Sequence, residues 1–481
     1  MLRYYAADDI RAAERPVIAA APPDALMRRA AHGLALVVAR ELRERTGGIA
    51  GRRVTLLVGS GDNGGDALWA GTELARRGVA VRAVLLDSRR FHRAAAAALR
   101  RAGGRITGDL GPQEGPAAPD LVVDGIVGLS GRGPLRPAAA ELVDRVRAPI
   151  VAVDLPSGVD ADTGVVDGPA VTAAVTVTFG ALRNAHALNP QRCGRIELVP
   201  IGIDPSPPAL SAYRDADIGR LWPVPGPHDD KYTQGVVGIV AGSAHFPGAA
   251  VLSTVAAVAA TSGMVRYVGS AADRVLDRRP EVVATADLAD AGRVQAWVVG
   301  PGAGTDDAAR ARLAQILARP EPVLVDADGL TLLADAPELL QGRTGITVLT
   351  PHDREFERVV GRPPGADRVS SVVEAAADLG VHLLLKGNVT IIADPGGTVV
   401  VNDAGSAWPA TAGSGDVLSG VSGALLAAGL EPLDALGCAT RAHSVAAVEA
   451  ARAPGPAGAP VRAGAIAESL PTAIALLRAA V

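Results

Sequence analysis

Acidic residues that directly follow apolar runs are the first feature of this chain with chemical consequence. Leu121-Val122-Val123 leads into Asp124, Ile150–Val153 leads into Asp154, and the Gly-rich segment Gly59–Ala67 (GSGDNGGDA) carries Asn63 and Asp66. Glycines there permit tight turning and close backbone approach, and the exposed N–H groups of a helix start favour a phosphate. Asp124 is followed by GIVGLSGRGP (Gly125–Pro134) and Asp154 by Leu155-Pro156-Ser157-Gly158. A lone Asp after a strand is more often a turn or cap residue. Several together, beside phosphate-friendly glycines, point instead to one polar site at the carboxyl ends of parallel strands.

The second half of the chain carries ATAGSGDVL (Ala410–Leu418), which runs into a Gly- and Ala-rich helical pattern. Small residues there form an anion-binding nest at a helix start, with Asp416 in the first turn. Asp416 is placed to accept the proton of an attacking hydroxyl in phosphoryl transfer. Equally, it could only complement the helix dipole, and the motif alone does not choose.

These groups need elements to position them. Strand patterns at 54–58, 79–86, 121–123, 150–153 and 171–179 alternate with helical patterns at 24–45, 67–77 and 91–101, with Asp24 as a candidate N-cap. That alternation implies βαβ units in a Rossmann-like, doubly wound parallel sheet. A Pro-rich stretch, 206–227, reads as a connection. A second α/β pattern follows, with strands at 236–240, 265–268, 294–299, 323–325, 346–349, 382–385, 389–392 and 399–401. Two helices starting near Gly415 and Asp434 close it. The chain is therefore expected to comprise 1–205, a connection 206–227, and 228–481.

Composition narrows the function. With 481 residues, 48% hydrophobic and 20% charged, the chain is globular and multidomain rather than disordered. A net charge of −4 and 3% aromatics provide neither a phosphate-neutralising surface nor a base-stacking platform, which excludes nucleic acid as the expected partner. The uncharged stretch 246–265 contains Pro247 and is rich in Ala, Gly, Ser and Thr, so a buried helix is expected and no membrane span. Cys193 and Cys438 match no metal-ligand spacing, and the first residues lack a signal peptide pattern, which fits a cytoplasmic location. Of the 47 cationic residues only Lys231 and Lys386 are lysines. A coding bias toward Arg explains most of that; a surviving Lys then marks positions needing a compact ammonium rather than a planar fork.

GSGDNGGDA, DGIVGLSGRGP and DLPSG, in this order over about residues 1–205, resemble the epimerase domain of the bacterial bifunctional NAD(P)H-hydrate repair enzymes. VGPGAG (Val299–Gly304), DADGL (Asp326–Leu330), LTPHDREF (Leu349–Phe356), LLKGNVT (Leu384–Thr390) and GSGD resemble their ribokinase-like, ADP-dependent dehydratase domain over 228–481. The resemblance implies substrate contacts in the first domain from Asp62, Asn63, Gly64, Gly65 and Asp66, from Gly128, Leu129, Ser130, Gly131, Arg132, Gly133 and Pro134, and from Asp154. It implies a potassium ion near Asn63, Asp124 and Ser157, whose oxygens suit a hard cation. In the second domain it implies nucleotide contacts from Lys386, Gly387, Asn388, Val389, Thr390 and Gly415, substrate contacts from Ala249, Gly304, His352 and Asp416, and magnesium near Glu355. Asp154 and Asp416 are the expected catalytic groups.

The expected activity is epimerisation of R and S NADHX and NADPHX, followed by dehydration of the S form at the expense of ADP, releasing AMP and phosphate; homo-oligomerisation is left open. The alternative is a vitamin or sugar kinase of ribokinase-like fold joined to a non-catalytic nucleotide-binding module. Three departures from the family pattern stand out. Asp62 and Ala67 end the first motif, Ala410 and Ala412 replace glycines in the second, and Asp230-Lys231 stands where a His-Lys pair is usual.

Overall fold

The computed structural model describes residues 1–115, 117–128 and 133–481. It divides into two compact units, one of Arg3–Leu210 and one of Ser211–Val481 with Met1–Leu2.

In the first unit, seven parallel strands form one sheet in the order Arg105–Thr107, Ala80–Leu85, Arg53–Val58, Leu121–Gly125, Ile150–Val153, Val175–Phe179, Arg195–Val199. The chain enters at Arg53–Val58, winds outward on one side, then returns next to its starting strand and winds the other way. Consecutive side chains serve opposite faces: Leu56 joins the core with Leu34, Leu68 and Leu99, while Leu57 joins Leu135 and Ala139. Helices therefore cover both faces, as a parallel sheet of buried strands requires. The order reverses between Arg53–Val58 and Leu121–Gly125, and a ligand crevice opens at such a switch point.

The second unit repeats the principle with different connections. Its sheet runs Val283–Thr285, Met264–Val268, Val236–Val240, Ala296–Val299, Val323–Val325, Thr347–Leu349, His382–Leu385, all parallel, then Val389–Ala393 and Val399–Asp403, both antiparallel to their predecessors. The uncharged stretch forms the helix Pro247–Ala260 and packs against Ser414–Ala427. A Cβ on Gly420 would lie 2.1 Å from the Ser253 carbonyl oxygen, so only glycine allows this approach. Among the described residues no helix is long and apolar enough to cross a membrane.

Several expectations are corrected. The helix expected from Ala67 begins at Asp62, because Gly64 and Gly65 sit in its first turn with helical hydrogen bonding to Gly61 rather than breaking it. Asp24 does precede the helix Ala25–Thr46, but its side chain caps no N–H and lies 3.6 Å from His92 Nε2. A helix at Ala7–Ala20 and a closing helix at Ala463–Arg478 were not expected; each contains an internal proline, Pro16 and Pro471, which masks the helical pattern. The Pro-rich 206–227 is not a bare connection. It contains the strand Leu210–Ala212, paired with Val399–Asp403 through Ser211 and Val400, and the helix Asp215–Leu221. Ile218 and Trp222 are buried in the core of the second unit, and the Trp222 indole N–H donates to the Ala260 carbonyl at 3.0 Å. Trp222→Ala is expected to destabilise that unit by about 3–5 kcal/mol, the usual cost of emptying a buried aromatic site. Thermal unfolding of the full chain measures it, and an unchanged Tm would mean the segment is a linker after all.

Candidate active sites

The first site is a cavity of about 770 Å³ lined by Asp62, Asn63, Asp66, Gly128, Asp154 and Ser157, among others. Its floor is built by close backbone contact. A Cβ on Gly59 would fall 1.8 Å from the Ile126 carbonyl oxygen, and one on Gly64 would fall 2.3 Å from the Gly59 carbonyl oxygen. The helix Asp62–Arg76 starts here without a side-chain cap, and its first turn, Asp62 and Asn63, borders the cavity.

Asp154 follows the strand Ile150–Val153 and is held from several sides. The Arg183 guanidinium lies 2.9 Å from its Oδ1, the Thr178 hydroxyl donates to the same oxygen at 3.0 Å, and the backbone has φ 68°. Left-handed backbone is unusual outside glycine and costs energy that the surrounding contacts must offset. His186 fixes the main chain: its Nδ1 accepts the Arg183 N–H at 3.0 Å, so Nε2 carries the proton and donates to the Asp154 carbonyl at 2.9 Å. Burial pushes this imidazole down to about 4, with Asp154 opposing the shift, so the ring is neutral near pH 7.

Asp124, fully buried, accepts the Ser157 hydroxyl at 2.7 Å on Oδ1 and the Ser157 N–H at 2.8 Å on Oδ2. Burial pushes its carboxyl up to about 6 against these hydrogen bonds. The Val127 carbonyl lies 3.4 Å from the Ser157 hydroxyl oxygen, and Asn63 Nδ2 donates to that carbonyl at 3.2 Å and to Val153 O at 2.5 Å. Asn63 thus joins the cluster through its amide nitrogen. Gly133 and Pro134 border the cavity, and Leu129, Ser130, Gly131 and Arg132 lie outside the described residues. Sequence reading missed Arg183, Thr178, His186 and Glu14, the last on the cavity wall. No local motif marks them, although Arg183 and His186 stand just past the strand Val175–Phe179.

The second site gathers groups from the carboxyl ends of successive strands around Asp416. Asp326 follows Val323–Val325, His352 follows Thr347–Leu349 and Lys386 follows His382–Leu385, while Asp416 lies in the first turn of Ser414–Ala427. Lys386 Nζ sits 2.8 Å from Asp326 Oδ1 and 3.5 Å from Glu355 Oε2, and Ser419 donates to the other Asp326 oxygen at 2.7 Å. Burial alone would lower this ammonium, but the Asp326 and Glu355 carboxylates outweigh it and raise it. Burial also pushes Asp416 up to about 7, with Asp326, Asp328 and Glu355 adding to the shift and Lys386 opposing it.

Other expected residues are placed as follows. Gly304 (φ 83°) donates its N–H to Asp328 at 2.9 Å. Ala249 begins the helix Pro247–Ala260 and packs against Gly302, where an added Cβ would lie 2.8 Å away. His352 and Glu355 cap the helix Asp353–Val360 reciprocally, at 3.2 and 2.8 Å, so both have a structural role and the His352 ring stays exposed. Gly387 and Asn388 form an exposed turn leading into Val389 and Thr390 on the next strand. A Cβ on Gly415 would lie 3.4 Å from Lys386 Nζ. Ala410 and Ala412 need no left-handed backbone: the positive φ of this loop falls on Gly413, at 80°. Asp326, Asp328 and Ser419 were not singled out by sequence; only the DADGL motif marked the first two.

Fold and geometry together define an α/β enzyme with a Rossmann-like unit and a ribokinase-like unit, each with a polar cluster at its strand ends. Residues 23–185 match the family described as YjeF-related protein N-terminus, and 237–469 the family described as NAD(P)H-hydrate dehydratase. The bifunctional NAD(P)H-hydrate repair enzyme Nnr of Mycobacterium tuberculosis is 60% identical over 89% of this chain and 90% of its own length. That of Mycobacterium leprae is 56% identical over 99% and 100%. An ADP/ATP-dependent NAD(P)H-hydrate dehydratase from Bacillus subtilis, co-crystallised with ATP and Mg2+, superposes with a TM-score of 0.50 at 26% identity, covering 56% of this chain and 98% of its own. A ribokinase-like superfamily protein from Enterococcus faecalis gives 0.51 at 21% identity, over 57% and 98%, and supports the fold. The chain belongs to the family of bifunctional NAD(P)H-hydrate repair enzymes, joining an epimerase to a dehydratase.

Lys386→Arg is expected to lower dehydratase turnover at least about tenfold while leaving epimerase turnover unchanged, because a wide guanidinium does not replace a point charge between two carboxylates beside Gly415. Assaying both activities in one preparation measures it, and an unchanged dehydratase rate would show the lysine to be incidental.

Proposed function

We propose that the first site inverts C6 of NADHX and NADPHX with Asp154 as its base, and that the second dehydrates the S epimer using ADP with Asp416 as its base. The observation that carries this reading is Asp416, at the start of an anion-favouring helix, amid three carboxylates and Lys386. In the hydrate, C6 bears a hydroxyl next to the ring nitrogen. Asp416 takes the proton of that hydroxyl as its oxygen attacks the terminal phosphorus of ADP, and the bond to the departing AMP oxygen breaks. Phosphate then leaves C6 with the bonding pair, the ring nitrogen supplies electrons, and loss of a proton from C5 restores NAD(P)H. The net products are AMP and phosphate.

Supplying separated R and S NADHX with ADP or ATP and following NADH absorbance tests both assignments. Recovery from S alone with ADP, and from R only when the first site is intact, is expected. No recovery from S with either nucleotide would end the dehydratase reading. As Asp416 must be ionised to accept a proton, kcat/KM for dehydration should rise with pH through about 7, and Asp416→Asn should remove at least about a hundredfold of the rate. A flat profile between pH 5.5 and 8 would exclude this base.

Of the residues that the family resemblance implies at the ions, Asp124, Ser157 and Glu355 fit, whereas Asn63 turns its amide nitrogen rather than its oxygen to the cluster. One buried carboxylate, the Ser157 hydroxyl and the Val127 carbonyl, all within 3.4 Å of the Ser157 oxygen, form a hard-oxygen set with a single negative charge, suited to K+. Such an ion would offset the burial of Asp124. Asp326 and Glu355 supply carboxylates near the second site, where Mg2+ typically takes one or two carboxylates and relies on phosphate oxygens for the rest. When bound, Mg2+ would neutralise charge on the transferring phosphoryl group. Ser157→Ala is expected to raise the K+ concentration for half-maximal epimerisation about tenfold, measured by K+ titration in a Na+-free buffer; an unchanged K+ response would remove this assignment. These activities suit a cytoplasmic enzyme.

A further inference from the structure

Substrate binding alone does not account for one group in the first cavity. Asp66 lines the same cavity as Asp154, is 6% exposed, and has its Oδ1 buried without a hydrogen-bond partner. An ionised carboxylate with a buried, unpartnered oxygen is costly, whereas a neutral carboxyl tolerates the position and offers a proton.

The surrounding charges agree. Asp62 stands on the same helix, Glu14 and Arg11 on Ala7–Ala20, Asp154 beyond Ile150–Val153, and Arg183 beyond Val175–Phe179. Asp24, Asp87 and Arg136 also line the cavity, and His92 lies against Gly65 with its Nε2 3.6 Å from the Asp24 carboxylate. Arg183 is committed to Asp154, and Arg11 donates to Asp8 at 2.6 Å. Burial first, then the charges of Asp154, Asp62 and Glu14, raise Asp66 well above the ordinary carboxylate range. Two carboxyl groups in one cavity with environments this different mark an acid and a base.

We propose that Asp66 is the proton donor of the epimerisation and Asp154 the acceptor. The Asp66 carboxyl gives its proton to the C6 hydroxyl, and the C6–O bond breaks with its electron pair leaving as water. The ring nitrogen lone pair closes to an iminium. Water adds to the other face of C6, and its excess proton passes to Asp154. One proton is delivered and one removed. Asp66 ends ionised and Asp154 protonated, which is the form that carries the opposite epimer back. The inference rests on Asp154 as the base.

Asp66→Asn tests it, since an amide keeps a hydrogen-bond donor at this position but has no proton to transfer. Epimerase kcat of the full chain should fall about 10²–10⁴-fold, the range for loss of a general acid. The epimerase KM for R-NADHX should change far less than kcat, the split expected when a group that touches the substrate also supplies the proton. The wild-type rate should also decline at alkaline pH, and Asp66→Asn should abolish that decline. A variant rate within threefold of wild type would overturn the proposal. So would a rate loss carried wholly by KM with kcat unchanged, or an alkaline decline removed by Glu14→Gln instead. If Asp66→Asn does not fold, the wild-type profile decides: no decline up to pH 10 overturns it. Asp154→Asn is the separate control. Full activity there would refute the base, whereas failure confined to Asp66 would leave Asp154 standing.

Discussion

Parallel pairing of strands is the constraint on which both sites depend. When every strand of a sheet core runs the same way, whatever the chain places after its strands arrives at one edge. In the first unit that edge receives Gly59, Asp124 and Asp154; in the second it receives Gly300, Asp326, His352 and Lys386. Segments far apart in sequence are thereby brought within hydrogen-bonding distance, as Asp124 is to Ser157 and Asp326 to Lys386. The cost is burial of acidic groups, and their neighbours are arranged around that cost: a guanidinium for Asp154, an ammonium and a hydroxyl for Asp326.

The glycines serve the same constraint in a way distinct from turning. At Gly59, Gly64 and Gly420, what matters is that no Cβ intervenes between two backbones. In the first unit this brings the helix Asp62–Arg76 down onto the strand ends so that Asn63 and Asp66 reach the cavity. In the second it lets Ser414–Ala427 lie against Pro247–Ala260, which fixes where Asp416 begins its helix.

Strands were the most legible part of the sequence: Val236–Val240, Val323–Val325 and His382–Leu385 end where their apolar runs end. Fully buried strands write themselves as continuous hydrophobic residues, so their limits are visible. Helices built on glycine or crossed by proline were not, as Asp62–Arg76, Ala7–Ala20 and Ala463–Arg478 show. Motifs led to Asp66, Asp124, Asp154 and Asp416 because each lies inside a local pattern. Arg183 and Ser419, and the pairing of Lys386 with Asp326 and Glu355, were invisible for the opposite reason: they arise from long-range convergence, which no window of sequence contains.

The scarcity of lysine gives this chain an unplanned property. Lys231 is exposed beside the Tyr232 ring, at 5.2 Å, while Lys386 is screened between Asp326 and Glu355 at the heart of a reaction centre. The two side-chain amines therefore differ sharply in their availability to acylating reagents, without any engineering. Mass spectrometry of a briefly acylated sample would read Lys231 as an internal standard and Lys386 as a gauge of how open the second crevice stands.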